Sequence, residues 1–467
     1  MIELTDEQSR LLTEAVYWFR NSSDQVFQYS APAGAGKSFM MHRIIEGCGL
    51  DDSQVAPMAY TGTASLVMRA NGFTFAKTIC SSIYKLVVED EDDDDEALFR
   101  SDYSEEDENR ILRRKRRRHH KKYKMVWKGV SPGIRLICID EGSMVPMEYY
   151  HDLIRCGVKI LVCGDLNQLP PINDTSAFLR SGKIFRLTKI MRQSEGSAIV
   201  HISNLLKERR IPDFGSYGND VLVIPKSQIT DQMLIQSDAV LCSRKYTKED
   251  IISHMRHDIL HISGYLPSKG ERVICRYNNW DLSAGGINLT NGLLCEVVSN
   301  PNISSMRSKG IFKMDVNPFM FPTVVFKNVK CDSRYMNSGV KTREAMTHPG
   351  SYAFRPIHKF GNKFEFGYAV TIHSSQGSQY NQGMCIVEKL GCSEEDQFRL
   401  AYTAITRFRR RCIFVLDFGL TRGFFMVPNL NSAGIPSVQK IQAPKPQPIP
   451  QPPKKKVVME IDGKPIL

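Results

Sequence analysis

The chain has 467 residues, 24% charged and 42% hydrophobic, which is the balance of a soluble globular protein and too long for a single hydrophobic core. No apolar run approaches the ~20 residues of a membrane span, and no secretory leader is evident. The 12 cysteines stand singly with no close C-x-x-C pair, which argues against a zinc site or a disulfide framework and leads to the expectation of a reducing cytosol. The net charge is +12; residues 86–130 carry 12 Lys/Arg and 13 Asp/Glu, so an excess of +13 lies outside that segment. Such an excess fits a polyanionic partner or a merely basic surface.

The first element places Leu11, Leu12, Ala15, Val16 and Phe19 at helical spacing after Thr5. Thr5 and Gln8 have the spacing of a capping box, so Gln8 either caps the helix or reads an adenine base beside the next motif. That motif follows the strand-like run Val26–Tyr29 and opens a helix over Phe39–Ile45: Ala31-Pro32-Ala33-Gly34-Ala35-Gly36-Lys37-Ser38. Small residues at Ala33, Gly34, Ala35 and Gly36 let successive backbone N–H groups curl around a phosphate, and the new helix adds its positive dipole end. Lys37 can reach the β and γ phosphates of a nucleotide, and the Ser38 hydroxyl can ligate Mg²⁺. The usual first glycine of such a loop is replaced by Ala31.

A strand over Val55–Tyr60 leads through Thr61-Gly62-Thr63-Ala64 into a helix, and Thr78-Ile79-Cys80-Ser81-Ser82 follows. The composition then breaks. Glu89–Glu96 are all acidic and Arg113–Lys124 are almost wholly basic, blocks that either neutralise each other in solvent or leave the basic half to track phosphates. The apolar run Ile134–Ile139 suits a buried parallel strand and ends in Asp140-Glu141; a helix follows from Pro146. A second buried strand, Lys159–Cys163, ends in Gly164-Asp165-Leu166-Asn167-Gln168-Leu169-Pro170-Pro171. Strands alternating with helices, with polar residues at the strand ends, describe an open parallel α/β sheet whose carboxyl edge gathers the phosphate loop, Asp140-Glu141 and Gln168.

A second α/β unit begins near Phe185, with a helix at Ala198–Lys207 and a strand at Ala239–Cys242. From Gly270 the pattern turns to β, with strands expected at Arg272–Arg276, Leu293–Ser299 and Thr323–Lys330 and a hairpin signal at Asn291-Gly292. The α/β pattern returns at Phe366–Ile372 and continues through Arg399–Asp417, after which the Pro-, Gln- and Lys-rich stretch from Asn431 is expected to be extended and without a core.

The chemistry concentrates at few positions. Asp140 supplies a carboxylate for Mg²⁺, and Glu141 can orient or deprotonate an attacking water. Gln168 is placed to sense a γ phosphate. Hydrolysis spreads charge over the transferring phosphoryl group, so a fixed guanidinium accelerates it, and Arg192 and Arg407 are the candidates. These blocks, in this order from Leu4 to about Phe418, resemble superfamily 1 helicases of the Dda- and RecD-like group. Residues 31–38 resemble the family's Walker A and Asp140–Met144 its Walker B. Gly164–Pro171 is similar to its coupling motif, and Arg192-Gln193 to its first arginine-finger motif. Val370-Thr371-Ile372-His373-Ser374-Ser375-Gln376-Gly377-Ser378 and Ala401-Tyr402-Thr403-Ala404-Ile405-Thr406-Arg407 resemble the late motifs. Cys80 stands where relatives carry histidine, and Ser374 where lysine is common.

The resemblance implies an α/β fold of two RecA-like domains, 1–84 with 131–180 and 181–269 with 363–430. It implies a charged wedge-type insertion at 85–130, with Phe99 or Trp127 as the junction-stacking aromatic, a small β-barrel insertion at 270–362, and a tail at 431–467. ATP and Mg²⁺ are the implied cofactors, with Gln8, the phosphate loop, Gln376 and Gly377 on the nucleotide. Thr61, Gly62, Thr78, Ser81, Thr371 and His373 are the implied contacts to single-stranded DNA. A monomer acting on DNA forks, travelling 5′→3′ in a bacterial or phage-infected cytosol, completes the expectation, with a protein partner on the tail. Two rivals stand beside it: an RNA helicase of the same superfamily, and an ATP-switched binding or assembly protein that does not unwind.

Overall fold

The computed structural model describes residues 4–89, 122–171, 175–180, 182–188, 197–303, 310–336, 361–417, 460–461 and 464–465. Helix α1 (Asp6–Asn21) starts at a complete capping box between Thr5 and Gln8 and leads to β1 (Val26–Ser30). Then come α2 (Lys37–Cys48), β2 (Val55–Ala59), α3 (Gly62–Ala70), β3 (Lys77–Thr78), α4 (Ile79–Ile83) and the paired strands β4 (Tyr84–Glu89) and β5 (Lys122–Trp127). β6 (Leu136–Asp140), α5 (Glu148–Ile154), β7 (Lys159–Gly164) and β8 (Ile184–Arg186) complete the first lobe.

Its sheet is six-stranded in the order β3-β2-β6-β7-β1-β8, and every pairing is parallel. The reason for the continuous apolar runs is visible in the burial. Along β6 and β7, Leu136, Cys138, Leu161 and Cys163 join the core beneath α1 and α2. The alternate residues Ile137, Ile139, Ile160 and Val162 join the opposite core with Leu153 and Phe178. A strand covered on both faces has no place for a polar side chain until it ends. It ends at Asp140 and at Gly164-Asp165, and the register aligns Ala59 with Asp140 and Ser30 with Gly164. The carboxyl edge is therefore a single line of loop starts.

The second lobe contains α6 (Ala198–Lys207), β9 (Gly215–Tyr217), β10 (Val221–Pro225), α7 (Asp231–Ile235), β11 (Ala239–Cys242) and α8 (Lys245–His254). The strands β12 (Arg272–Cys275), β13 (Asn279–Ala284), β14 (Ile287–Leu289), β15 (Leu294–Val297), β16 (Ile311–Pro318), β17 (Phe326–Asp332) and β18 (Phe364–Phe366) follow. β19 (Ala369–Thr371), β20 (Tyr380–Glu388), α9 (Glu394–Ile405) and β21 (Phe408–Asp417) close it. One sheet runs β19-β11-β20-β21-β10-β9, parallel except for its edge strand β9. A separate antiparallel sheet runs β17-β16-β15-β12-β18.

The expected α/β class is the one found. The run Phe366–Ile372, expected as one return to the α/β pattern, is divided between two sheets: Phe366 ends β18 and Ala369 starts β19. Gly367 lies between them, where a side chain would come within 2.4 Å of the Leu294 side chain. The strands at 279–289 and 311–318 were not anticipated. The latter alternates buried and half-exposed residues, so it lacks the uninterrupted apolar run of a two-faced strand.

The chain divides into two units, Met1–Phe424 and Phe425–Leu467; of the second, the antiparallel pair Glu460–Ile461 with Lys464–Pro465 is described. The remainder of the expected tail, the charged runs between 90 and 121, Phe99, Arg192 and Gln193 lie outside the described residues. Among the described residues no helix is long and apolar enough to cross a membrane.

Candidate active site

The phosphate loop leaves β1 at Ser30 and turns into α2 at Gly36, which takes a left-handed φ of 85°; Gly34 has φ 86°. Both conformations need glycine, which is why the loop carries glycine at these positions and can place alanine at 31, 33 and 35. Ala31 is fully buried and donates its N–H to the Gly164 carbonyl at 2.9 Å, so the methyl in place of the usual glycine is accommodated inside the core. Lys37 Nζ donates to the Ala31 carbonyl at 3.2 Å, and the Lys37 carbonyl accepts the Tyr29 hydroxyl at 2.9 Å. Burial works against the charge on Lys37, but Glu141, Asp165 and Asp140 outweigh it and hold its pKa above the ordinary lysine value. Asn71 Nδ2 donates to Ser38 Oγ at 3.4 Å, a long bond that leaves the hydroxyl free to turn to a cation.

Gln8 is buried and caps α1. Its Oε1 accepts the Thr5 N–H at 3.1 Å, while its Nε2 lies 3.5 Å from where a Gly36 side chain would begin, against the phosphate loop.

Asp140 ends β6 and accepts the Glu141 N–H at 2.8 Å and the Cys163 thiol at 3.1 Å through Oδ1. Glu141 itself has φ 52°, one of few non-glycine residues in the left-handed region. Such backbone strain persists only where surrounding structure enforces it. Its Oε2 is buried with no hydrogen-bond partner, and its Oε1 lies 3.9 Å from Arg407 Nη1. Burial pushes the Glu141 carboxyl up, with Asp140 and Asp165 adding to it, against the opposing pull of Lys37 and Arg407. An orphaned carboxylate oxygen beside a phosphate loop is the group a water would need.

The second lobe supplies the other wall. Arg407, 3% exposed, follows α9; its Nη2 donates to Gln168 Oε1, its Nε to the Thr403 carbonyl at 3.3 Å and its Nη1 to the Ser378 carbonyl at 3.4 Å. Gln376 Nε2 donates to the Leu169 carbonyl at 3.0 Å. Gly377, φ 77°, sits where a side chain would come within 2.7 Å of Thr61 Oγ1. The structure thus brings together Gln8, Ala33–Ser38, Asp140, Glu141, Gln168, Gln376, Gly377 and Arg407 across two sheets.

The expected strand contacts are otherwise engaged. Thr61 and Thr78 cap α3 and α4 through the N–H groups of Ala64 and Ser81, and Thr371 Oγ1 bonds Ser374 Oγ at 2.9 Å. Gly62 is buried, within 2.7 Å of Thr290 if given a side chain, so the β-rich segment covers the start of α3. Burial lowers the pKa of His373, which keeps it neutral near pH 7. Trp127 lies at the root of the β4–β5 pair rather than at a tip: its ring carries Arg155 at 4.1 Å and its Nε1 donates to the Asp152 carbonyl at 3.2 Å.

Three groups were overlooked at the sequence level. Asp165, fully buried, accepts the Tyr402 hydroxyl at 2.7 Å through Oδ2, and Thr403 Oγ1 accepts the Leu169 N–H at 3.0 Å. The available signal was their place inside the two motif-bearing stretches Gly164–Pro171 and Ala401–Arg407.

Nothing in this geometry conflicts with a nucleotide and its cation: positive-φ glycines, a lightly held Ser38 hydroxyl, a buried lysine and an orphaned Glu141 oxygen suit both. Comparison with known families finds an AAA domain over residues 3–223 and a UvrD-like helicase C-terminal domain over residues 366–415. Among solved structures, a Pif1 helicase from Candida albicans is 19% identical, with 90% of this chain and 96% of that one covered and a TM-score of 0.48. A Bacteroides Pif1 helicase in complex with ADP-AlF3 and ssDNA is 17% identical, with 92% and 95% covered and a TM-score of 0.48. The chain thus joins an AAA domain to a UvrD-like helicase C-terminal domain, and its resemblance to superfamily 1 helicases holds at both the phosphate loop and the last motif.

Proposed function

We propose that this chain is an ATP-driven DNA helicase that travels 5′→3′ along a single strand and separates the duplex ahead of it. The observation that carries the reading is the placement of Arg407, from the second lobe, on Gln168 and beside Glu141 at the phosphate-loop edge of the first. A hydrolytic site divided between two lobes makes turnover depend on how they sit together, which is the requirement for converting hydrolysis into movement.

In this reading the loop 33–38 and Lys37 hold the phosphates, Gln8 faces the adenine, and Ser38 and Asp140 hold Mg²⁺, which would offset phosphate charge. Glu141 orients and deprotonates the water; its raised carboxyl suits it to take the proton. Arg407 stabilises the charge on the transferring phosphoryl group, with Arg192 as the second guanidinium, and Gln168 reports the state of the γ phosphate to the loop it belongs to. The charge excess outside residues 86–130 supports a nucleic-acid track with sequence-independent grip.

The test is strand separation with ATP on a 5′-tailed duplex, a 3′-tailed duplex and a fork, for wild type and Lys37→Ala. Unwinding that needs the 5′ tail and vanishes in Lys37→Ala is the expected result. Turnover stimulated by single-stranded RNA but not DNA would transfer the reading to RNA. No stimulation by any nucleic acid would overturn it.

A further inference from the structure

The hydrolytic residues do not account for every contact between the lobes. Tyr402, on α9 one turn ahead of Arg407, is almost fully buried, and its hydroxyl donates to Asp165 Oδ2 at 2.7 Å across 237 residues of chain. The loop to which Asp165 belongs is bonded to the base of the phosphate loop: the Ala31 N–H donates to the Gly164 carbonyl at 2.9 Å and the Leu166 N–H to Ser30 Oγ at 3.2 Å. Asp165 in turn holds its own loop in shape, accepting the Asn167 N–H at 3.0 Å and the Asn167 side-chain amide at 3.2 Å through Oδ1, and it raises the pKa of Lys37. One hydroxyl therefore joins the last turn of α9, just ahead of Arg407, to the coupling loop, and through that loop to the phosphate loop.

We infer that Tyr402 is a positioning residue that ties the occupancy of the phosphate loop to the placement of Arg407 and of the 164–171 loop. The argument rests on helicase function as proposed above. The phenol bears on no reacting atom; Glu141, Gln168 and Arg407 do that. What it fixes is the relative position of three segments that have no covalent reason to move together. A buried hydroxyl with one good acceptor across the lobes has two arrangements available, bonded to it or not, and that is the requirement for a coupling element. Nucleotide entering around Ala33–Ser38 acts on the segment bonded to Gly164 and Leu166, and the change passes through Asp165 to the last turn of α9. Lobe coupling is thereby drawn through the aromatic hydroxyl, and the arginine follows.

The test uses the full chain with Tyr402→Phe, which keeps the ring and removes only the hydroxyl. Two quantities are read: kcat and KM for ATP with saturating single-stranded DNA, and the ratio of ssDNA affinities with and without a non-hydrolysable ATP analogue. Allosteric couplings of this kind are on the order of 5- to 150-fold. Tyr402→Phe is expected to collapse the affinity ratio to about one and to lower kcat about tenfold, with KM within about twofold. Asp165→Asn, which keeps an acceptor for the phenol, is expected to retain the ratio, and Asp165→Ala to lose it. An unchanged ratio and kcat in Tyr402→Phe would overturn the inference. So would an Asp165→Asn variant as damaged as Asp165→Ala, because that result assigns the effect to the carboxylate charge near Lys37. A wild type whose turnover ignores single strands overturns the helicase reading and this one with it. A stimulated wild type beside an unaltered Tyr402→Phe removes only the role given to Tyr402.

Discussion

The first-lobe wall of the cleft and its second-lobe wall are made by different means. The first is assembled from the ends of adjacent parallel strands, so Lys37, Asp140, Glu141 and Asp165 arrive at one edge because β1, β6 and β7 are in register. Its local tensions are internal: a left-handed glutamate, a carboxylate oxygen without a partner and a lysine held among three carboxylates. The second wall has no such scaffold of its own at the site. Arg407, Gln376, Tyr402 and Thr403 are all fastened to one loop of the other lobe, 164–171, by single hydrogen bonds. The comparison teaches that the half proposed to bind nucleotide is built by sheet geometry, whereas the half proposed to complete catalysis is held by contacts that can be exchanged.

The sharpest way to break that division is Arg407→Ala. Loss of an arginine finger costs on the order of 10³-fold or more in turnover, and the affinity for an ATP analogue should change by less than about tenfold. Comparable loss of nucleotide binding, measured by titration of a fluorescent analogue, would show that the first wall does not stand alone.

Glu141→Gln is next, with turnover lowered about 10²-fold for removal of the base. It carries a stability signature as well. The folded-state pKa of Glu141 is raised above its unfolded value, so the folded state holds the proton longer, and stability is lost as pH rises from the unfolded value, about 4.3, through the folded one. Glutamine cannot titrate. The melting temperature of the variant should therefore gain on wild type as pH rises across that window and show no further relative gain above it; a difference constant with pH would remove burial as the cause.

The smallest effect on turnover is expected from Trp127→Ala. It removes the Arg155 stack and the bond to Asp152 at the root of β4–β5, far from the cleft chemistry. ATPase with short single strands should stay within about twofold while the chain loses on the order of 2–3 kcal/mol of stability, read by chemical denaturation. A tenfold fall in that ATPase would tie the strand pair to the hydrolytic site.

The same division decides what could be read from the amino-acid order. Phosphate loop, Asp140-Glu141 and Gln168 were legible because a two-faced buried strand announces its end by the first polar residue, and glycine marks where φ must turn positive. Arg407 was legible only through resemblance, since an arginine after an apolar helix is equally an ion-pair partner on a surface. The bond between Tyr402 and Asp165 was not legible at all: it joins residues 237 apart, and nothing local to either predicts the other. The left-handed backbone of Glu141 was likewise hidden, because the type of residue argues against it. The antiparallel strands at 279–289 and 311–318 escaped because their patterns are short or mixed in burial.

The antiparallel sheet enters through β12 and leaves through β18, and these two strands lie side by side, Val273 opposite Phe366, with the Arg276 N–H on the Lys363 carbonyl at 2.8 Å and the Gly367 N–H on the Arg272 carbonyl at 2.8 Å. In the first lobe Tyr84 stands opposite Trp127 in the same manner. Each excursion is thus closed at its neck before it begins, and the host lobe meets only a pair of neighbouring chain ends. Closing a longer loop on such a neck adds only a logarithmic entropy cost. The two lobes are accordingly expected to behave as a chassis with two sockets, so that a variant whose excursion is shortened, lengthened or exchanged keeps the register of its host sheet.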